Sequence, residues 1–166
     1  MVLARDMIER LSLRPLCVAD SQVMTEVLTD PCLYQFTGGE PPTAEQLSQR
    51  YAAQVRGGPA DGSQRWVNLI VLQGPQPVGY VQATIPSDGG PSEIAWVIGR
   101  PWQGRGHAAH AAFLLLDELA AQGVSQVMAH IHPVHASSLR VAEKLGLEPT
   151  SIVVGGEVRW VGGTSD

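Results

Sequence analysis

Leu11-Ser12-Leu13-Arg14-Pro15-Leu16 alternates apolar and polar residues with the period of two that marks a half-buried strand. Val23, Val27 and Leu28 then recur at helical spacing behind Asp20, a residue type that caps helices. A second helix is predicted to start at Thr43, where Thr43-Ala44-Glu45-Gln46 has the form of a capping box, and to run through Leu47 and Tyr51 toward Gly57-Gly58-Pro59. Trp66 to Leu72 and Val78 to Ile85 are predicted as adjacent strands joined by Gln73-Gly74-Pro75-Gln76-Pro77. A turn over Pro86 to Pro91 leads into a third strand, Glu93 to Ile98. Ala109, Ala112, Phe113, Leu116, Leu119 and Ala120 return to the 3.6-residue period, leaving Asp117, Glu118 and Gln122 to solvent, with Gly123 as the C-terminal cap. Gln126 to Ile131 supplies another strand and Ser137 to Leu145 a short helix ended by Gly146. Ile152 to Val154 and Val158 to Val161 form a terminal hairpin about Gly155-Gly156.

This order (strand, two helices, three strands, helix, strand, helix, two strands) describes a mixed α/β chain of the α+β kind. With 166 residues, 44% of them hydrophobic, the chain is expected to form a single domain over residues 1–166. The net charge of -5 and the scattering of Arg5, Arg10, Arg14 and Arg56 give no footprint for nucleic acid. Cys17 and Cys32 are too few for a disulfide framework, and the first residues carry Arg5, Asp6 and Glu9 instead of an uninterrupted apolar run. The longest apolar helical stretch, Ala111 to Leu116, meets Asp117 and Glu118 at once, so no membrane span is expected. These features point to a cytoplasmic protein.

Gln103-Gly104-Arg105-Gly106-His107-Ala108 leaves an apolar strand and enters an alanine-rich helix. Two glycines let the backbone take positive φ and approach an anion without an intervening Cβ, and the helix aims its positive dipole end at the same place. A Gly-x-Gly turn alone is also a common tight connection. Its flanks add more: Glu93-Ile94-Ala95-Trp96-Val97-Ile98 before it, and later Pro133-Val134-His135-Ala136-Ser137-Ser138-Leu139-Arg140-Val141-Ala142-Glu143-Lys144-Leu145-Gly146-Leu147. The run from Glu93 through Gln103-Gly104-Arg105-Gly106-His107-Ala108 to Ala111 resembles the acetyl-CoA loop of the GCN5-related N-acetyltransferase (GNAT) superfamily, Gln/Arg-x-x-Gly-x-Gly/Ala. The later run resembles that family's motif in which an Asn and a Ser three residues apart precede a helix closing in Lys-Leu-Gly-Phe. Within the superfamily the chain is most similar to the ribosomal-protein N-terminal (RimJ/RimL-like) branch.

The resemblance implies the GNAT fold: a mixed, mostly antiparallel sheet of about six to seven strands flanked by four helices, with a splayed strand pair holding coenzyme A. It implies acetyl-CoA as cofactor, no metal, and contacts from Trp96, Val97, Ile98, Gln103, Gly104, Arg105, Gly106, His107, Ala108, His135 and Ser138. A backbone NH near Val97 or Ile98 would hold the thioester oxygen. The implied reaction is direct attack of a primary amine, either a protein N-terminus or a small amine, on the thioester. A homodimer through the last strand, with Val158, Trp160 and Val161, also follows from the family.

Acetyl transfer needs a neutral amine, a held carbonyl and a proton for the departing thiolate. Glu93 and Glu157 are both candidates for the base, because each sits in an apolar strand where desolvation raises a carboxyl pKa. Their plainer readings are a solvated strand charge or, for Glu157, an ion pair with Arg159. Many family members carry a Tyr as the acid where this chain has Ala142, and Ser138 is the replacement candidate, unless Ser137 or Ser138 only caps the helix. His135 stands where the family has Asn. His107 and His110 are expected to be packing or surface residues, and Tyr34, Phe36 and Trp66 to line an acceptor pocket. Two other readings remain. One is a non-catalytic acyl-CoA sensor. The other is a metallohydrolase using His130, His132 and His135, which lacks an Asp at Val134 and has no later acidic ligand of that type but Asp166.

Overall fold

A computed structural model describes residues 10–165; Arg5, Asp6, Glu9 and Asp166 lie outside them. The elements follow the predicted order. They are β1 (Leu11–Pro15), α1 (Ser21–Val27), α2 (Ala44–Gln54), β2 (Gln64–Gln73), β3 (Gln76–Pro86), β4 (Ser92–Ile98), α3 (His107–Ala121), β5 (Gln126–Ile131), α4 (Ala136–Lys144), β6 (Glu148–Val154) and β7 (Glu157–Gly163). Short 3-10 turns occupy Val18–Asp20, Pro31–Tyr34 and Arg100–Trp102. The seven strands form one sheet, β1-β2-β3-β4-β5-β7-β6, antiparallel throughout except between β4 and β5. Strands β2 and β3 run to within two residues of each other, so Gly74-Pro75 alone makes the turn predicted over five residues.

Both faces of the sheet are covered, and β2 shows why its sequence reads as a continuous apolar run. Ile70 and Val71 are both fully buried, but Ile70 packs with Met24, Val27, Leu47 and Tyr51 under α1 and α2, while Val71 packs with Leu115 and Leu119 of α3 on the opposite face. The Thr43 capping box is formed: Thr43 Oγ1 accepts from the Gln46 amide at 3.2 Å and Gln46 Oε1 accepts from the Thr43 amide at 3.0 Å. Gly123 and Gly146, each at positive φ, follow α3 and α4 as predicted.

Three expectations are corrected. Phe113 and Ala120 of α3 are exposed, and the buried stripe is Ala109, Ala111, Ala112, Leu115, Leu116 and Leu119. The segment from Ala108 to Leu116 is apolar nearly all round, so its period leaves the buried face open and packing on the sheet decides it. Asp20 stands at the N-cap of α1 but makes no capping bond. Its carboxylate instead accepts from Arg14 at 2.6 and 2.9 Å and from the Cys17 amide at 2.8 Å. The last strand, β7, is interior, between β5 and β6, and Trp160 is buried. The edge at this end of the sheet is β6, where Ile152, Val153 and Val154 are exposed.

The Arg14 hydrogen bonds hold the Asp20 carboxyl below its ordinary pKa of 3.8, with burial acting in the opposite sense. A depressed folded-state pKa means that the pair's contribution is complete above about pH 4 and is lost as acid titrates the carboxyl below that. Asp20→Ala removes both carboxylate bonds of Arg14, which keeps only the Pro15 carbonyl, and leaves the Cys17 amide unpartnered. It should cost about 2 kcal/mol and lower the melting temperature by roughly 4–8 °C, a difference that calorimetry at pH 7 would show and that should shrink below pH 4.

Candidate active site

Strands β4 and β5 pair only at Ser92–Val127 and Glu93–Met128 and then part. The wedge they leave opens into a cleft of about 940 Å³, walled by β4 from Ile94 to Ile98, the end of β5, the 3-10 turn at Pro31–Tyr34 and the starts of α3 and α4. Ladder alternation tells which amides face it. The Gly99 amide donates to the Val78 carbonyl at 2.8 Å, which makes Tyr80–Val97 a hydrogen-bonded pair in the same register. The Val97 amide is thus taken by β3, and the amides of Trp96 and Ile98 turn toward the wedge, although all three residues line the cleft.

Beyond β4, Gln103 Nε2 donates to the Ile98 carbonyl at 2.9 Å and ties the glycine loop to the strand end. Gly104 and Gly106 take φ of 78° and 80°, and a Cβ built on either meets nothing within 4 Å. Among the described residues, no acceptor takes the amides of Gly104, Arg105, Gly106, His107, Ala108 or Ala109. These unpaired donors stand at the positive end of the fifteen-residue helix α3, an arrangement that binds anions. Gln103, Gly104, Gly106, His107 and Ala108 line the cleft, and the His107 Nε2 is buried there without a partner. Burial, then the charges of Arg105 and His110, lower the His107 pKa, so the ring is neutral near pH 7. His110 is exposed. Arg100, Arg140 and Lys144 also line the cleft and bring positive charge into a chain of net charge -5. The sequence reading missed them, although Arg140 and Lys144 lie four residues apart, on one face of the predicted helix.

The two candidate carboxylates are placed differently. Glu157 lines the cleft, and Arg159, its suggested ion-pair partner, is directed elsewhere: Arg159 Nε donates to His130 Nε2 at 3.1 Å. Glu93 is outside the cleft lining with its side chain half exposed, not desolvated as expected, and Glu93 Oε1 lies 3.0 Å from His130 Nδ1. His130 itself lines the cleft.

Ser138 Oγ lies 3.4 Å from His135 Nε2, and neither residue makes a capping bond to α4. The His135 ring stacks on Phe36, with centroids 4.6 Å apart and planes at 22°, and Phe36 also meets His132 at 5.2 Å. Burial, reinforced by His132, lowers the His135 pKa, so that ring too is neutral near pH 7. The stack joins the segment after Pro31–Tyr34 to the β5–α4 connection across the mouth of the wedge. Tyr34 and Phe36 line the cleft, and Trp66 does not. His130, His132 and His135 do not converge: the first is held by Glu93 and Arg159, and the other two face Phe36. Among the described residues no three His, Cys, Asp or Glu side chains form a metal-ligand set, and no helix is long and apolar enough to cross a membrane.

A strand wedge opening onto a ring of free amides is the arrangement expected from the two sequence motifs, and the family model for an acetyltransferase (GNAT) domain matches residues 10–148, most of the chain. The chain belongs to the GNAT acetyltransferase family. Solved GNAT structures share its fold. A GNAT-family acetyltransferase from Bacillus anthracis is similar with a TM-score of 0.74 at 20% identity, over 95% of this chain and 96% of that one. The aminoglycoside acetyltransferase AAC(6')-Ib in complex with coenzyme A gives 0.76 at 19% identity, over 93% and 95%. RimL, a ribosomal L7/L12 α-N-protein acetyltransferase in complex with coenzyme A, gives 0.77 at 14% identity, over 92% and 93%. Curated protein sequences gave no significant match. The mixed, largely antiparallel seven-stranded sheet and its four α-helices are those of the GNAT fold.

Proposed function

We propose that this chain is a single-domain acetyl-CoA-dependent N-acetyltransferase that transfers the acetyl group to a primary amine by direct attack. The observation that carries the reading is the run of unpaired amides from Gly104 to Ala109, at the N-terminus of α3 and beside the open end of the β4–β5 wedge. Coenzyme A fits this arrangement, because the open space at Gly104 and Gly106 lets a diphosphate approach the backbone, and Arg100, Arg140 and Lys144 supply countercharge. Bound there, acetyl-CoA supplies an activated acetyl group. The Ile98 or Trp96 amide, turned into the wedge, would polarise the thioester oxygen, since a fixed donor in a water-poor cleft acts strongly on developing charge. Ser138, in the first turn of α4, would give a proton to the departing sulfur.

Glu157 would receive the incoming ammonium group, and Tyr34, Phe36 and Trp96 would flank its carbon chain. Ser138 and Glu157 match the pattern of the ribosomal-protein N-terminal branch, which supports a protein or peptide α-amine as acceptor, with small amines as the second class. AAC(6')-Ib has been solved with kanamycin, and RimL is named for a ribosomal protein, so this fold serves both kinds of acceptor. Cys17 and Cys32, both free and exposed, suit a reducing compartment such as the cytoplasm. Free-thiol release from acetyl-CoA, followed across peptides with free N-termini, polyamines and aminoglycosides, tests the reading. Turnover with at least one amine is expected; tight coenzyme A binding with no turnover on any of them would make the chain a sensor.

A further inference from the structure

Glu93, His130 and Arg159 form a chain of side chains across β4, β5 and β7, on the sheet face that also carries Glu157. The two hydrogen bonds fix the state of the imidazole. Arg159 Nε can only donate, so His130 Nε2 must present its lone pair, and the ring proton must sit on Nδ1 and be given to Glu93 Oε1. His130 is therefore a neutral imidazole whose basic nitrogen belongs to a residue lining the cleft, with a carboxylate behind it. Its side chain is only 11% exposed, whereas that of Glu93 is 50% exposed. The ring bridges a sheltered site and a carboxyl group in contact with water.

We propose that His130 is the base of the transfer reaction, taking a proton from the acceptor nitrogen and relaying it through its ring to Glu93. The proposal rests on the acetyltransferase reading above. The acceptor nitrogen takes the place of Arg159 Nε at His130 Nε2. The acceptor arrives as an ammonium ion: one of its protons moves to Nε2, the Nδ1 proton moves to the Glu93 carboxylate and from there to water, and the neutral nitrogen so formed bonds to the thioester carbon and loses a second proton to solvent as the amide forms. The electron pair of the breaking carbon–sulfur bond leaves with sulfur, which takes one proton from Ser138; Ser138 is reprotonated by solvent. The products are an amide, free coenzyme A thiol and one proton released to solvent, the one the ammonium brought in. Arg159 gives the relay its direction. The guanidinium holds the Nε2 side of the ring and the carboxylate the Nδ1 side, so a proton arriving at Nε2 has an acceptor waiting at Nδ1. Glu93 thereby acts from outside the cleft, and Glu157 is left to bind the amine.

The test uses the full chain with an amine on which it turns over. In His130→Asn the amide nitrogen can still reach Glu93 but cannot relay a proton. It should lower kcat about 100-fold, with the melting temperature and coenzyme A affinity unchanged. Glu93→Gln should lower kcat similarly, and the double variant should be no slower than the worse single one, because the two residues act as a unit. Added imidazole should restore part of the rate of His130→Ala, which a purely structural loss would not allow. A folded His130→Asn protein with wild-type kcat, or losses that multiply in the double variant, would overturn the relay. Wild-type protein that binds no coenzyme A would overturn the acetyltransferase reading along with it.

Discussion

Gly106→Val should weaken coenzyme A binding at least about 100-fold, equivalent to about 2.7 kcal/mol. Gly106 has φ of 80°, a region in which a β-branched residue is strained by roughly 1–2 kcal/mol. Its Cβ position is open because nothing in the protein fills it, and this is the space a diphosphate needs in order to reach the amides of Gly104 to Ala109. Valine would both occupy that space and turn the amides. Gly123→Val is the matched control: Gly123 has φ of 85° at the other end of α3, away from the cleft. Both variants should lose a few degrees of melting temperature by similar strain, and only Gly106→Val should lose the ligand. Titration calorimetry beside thermal unfolding separates the two effects.

Glu157→Gln should raise KM for the amine by about ten- to hundredfold and leave KM for acetyl-CoA unchanged, because a hydrogen bond between charged groups contributes about 1.5–3 kcal/mol. Glu157 is the candidate carboxylate that reaches the cleft directly, and before the acceptor arrives the nearby guanidinium of Arg159 is held by His130. An ammonium acceptor pairs with the carboxylate. Steady-state kinetics with both substrates varied would check this. A neutral acceptor analogue should show little difference between the two proteins, and an unchanged amine KM would place the acceptor elsewhere in the cleft.

The element order and the cofactor loop were legible in the sequence because each depends on short-range signals. The Thr43 capping box, the alternation in β1 and the two glycines before α3 act within a few residues of themselves. What the sequence hid depends on partners far along the chain. Asp20 is the exception in range: it reads as a helix cap, yet Arg14, only six residues earlier, and the Cys17 amide take its carboxylate. Phe113 reads as core because an almost wholly apolar helix segment does not mark which side faces the sheet. Strand β7 reads as an edge because it comes last, although it inserts between β5 and β6. The site shows the same division. Gln103, Gly104, Gly106, His107 and Ala108 line the cleft and Arg105 does not, whereas His130 gains its meaning from Glu93, 37 positions earlier, and Arg159, 29 positions later. His135, a departure from the family's Asn, finds its counterpart in Phe36 on the opposite wall.

Spacing also explains why the three histidines at the end of β5 and just beyond it suggested a metal. His130, His132 and His135 have ligand-like separations, but the strand ends at Ile131, so His130 stays in the sheet beside Glu93 while His132 and His135, in the connection that follows, meet Phe36.

Isothermal titration of the purified, folded chain with coenzyme A and with acetyl-CoA tests the central claim most directly. Saturable binding with one site per chain is expected for both ligands, and it should be lost in Gly106→Val and kept in Gly123→Val. A folded wild-type protein that gives no binding signal with either ligand would contradict the account.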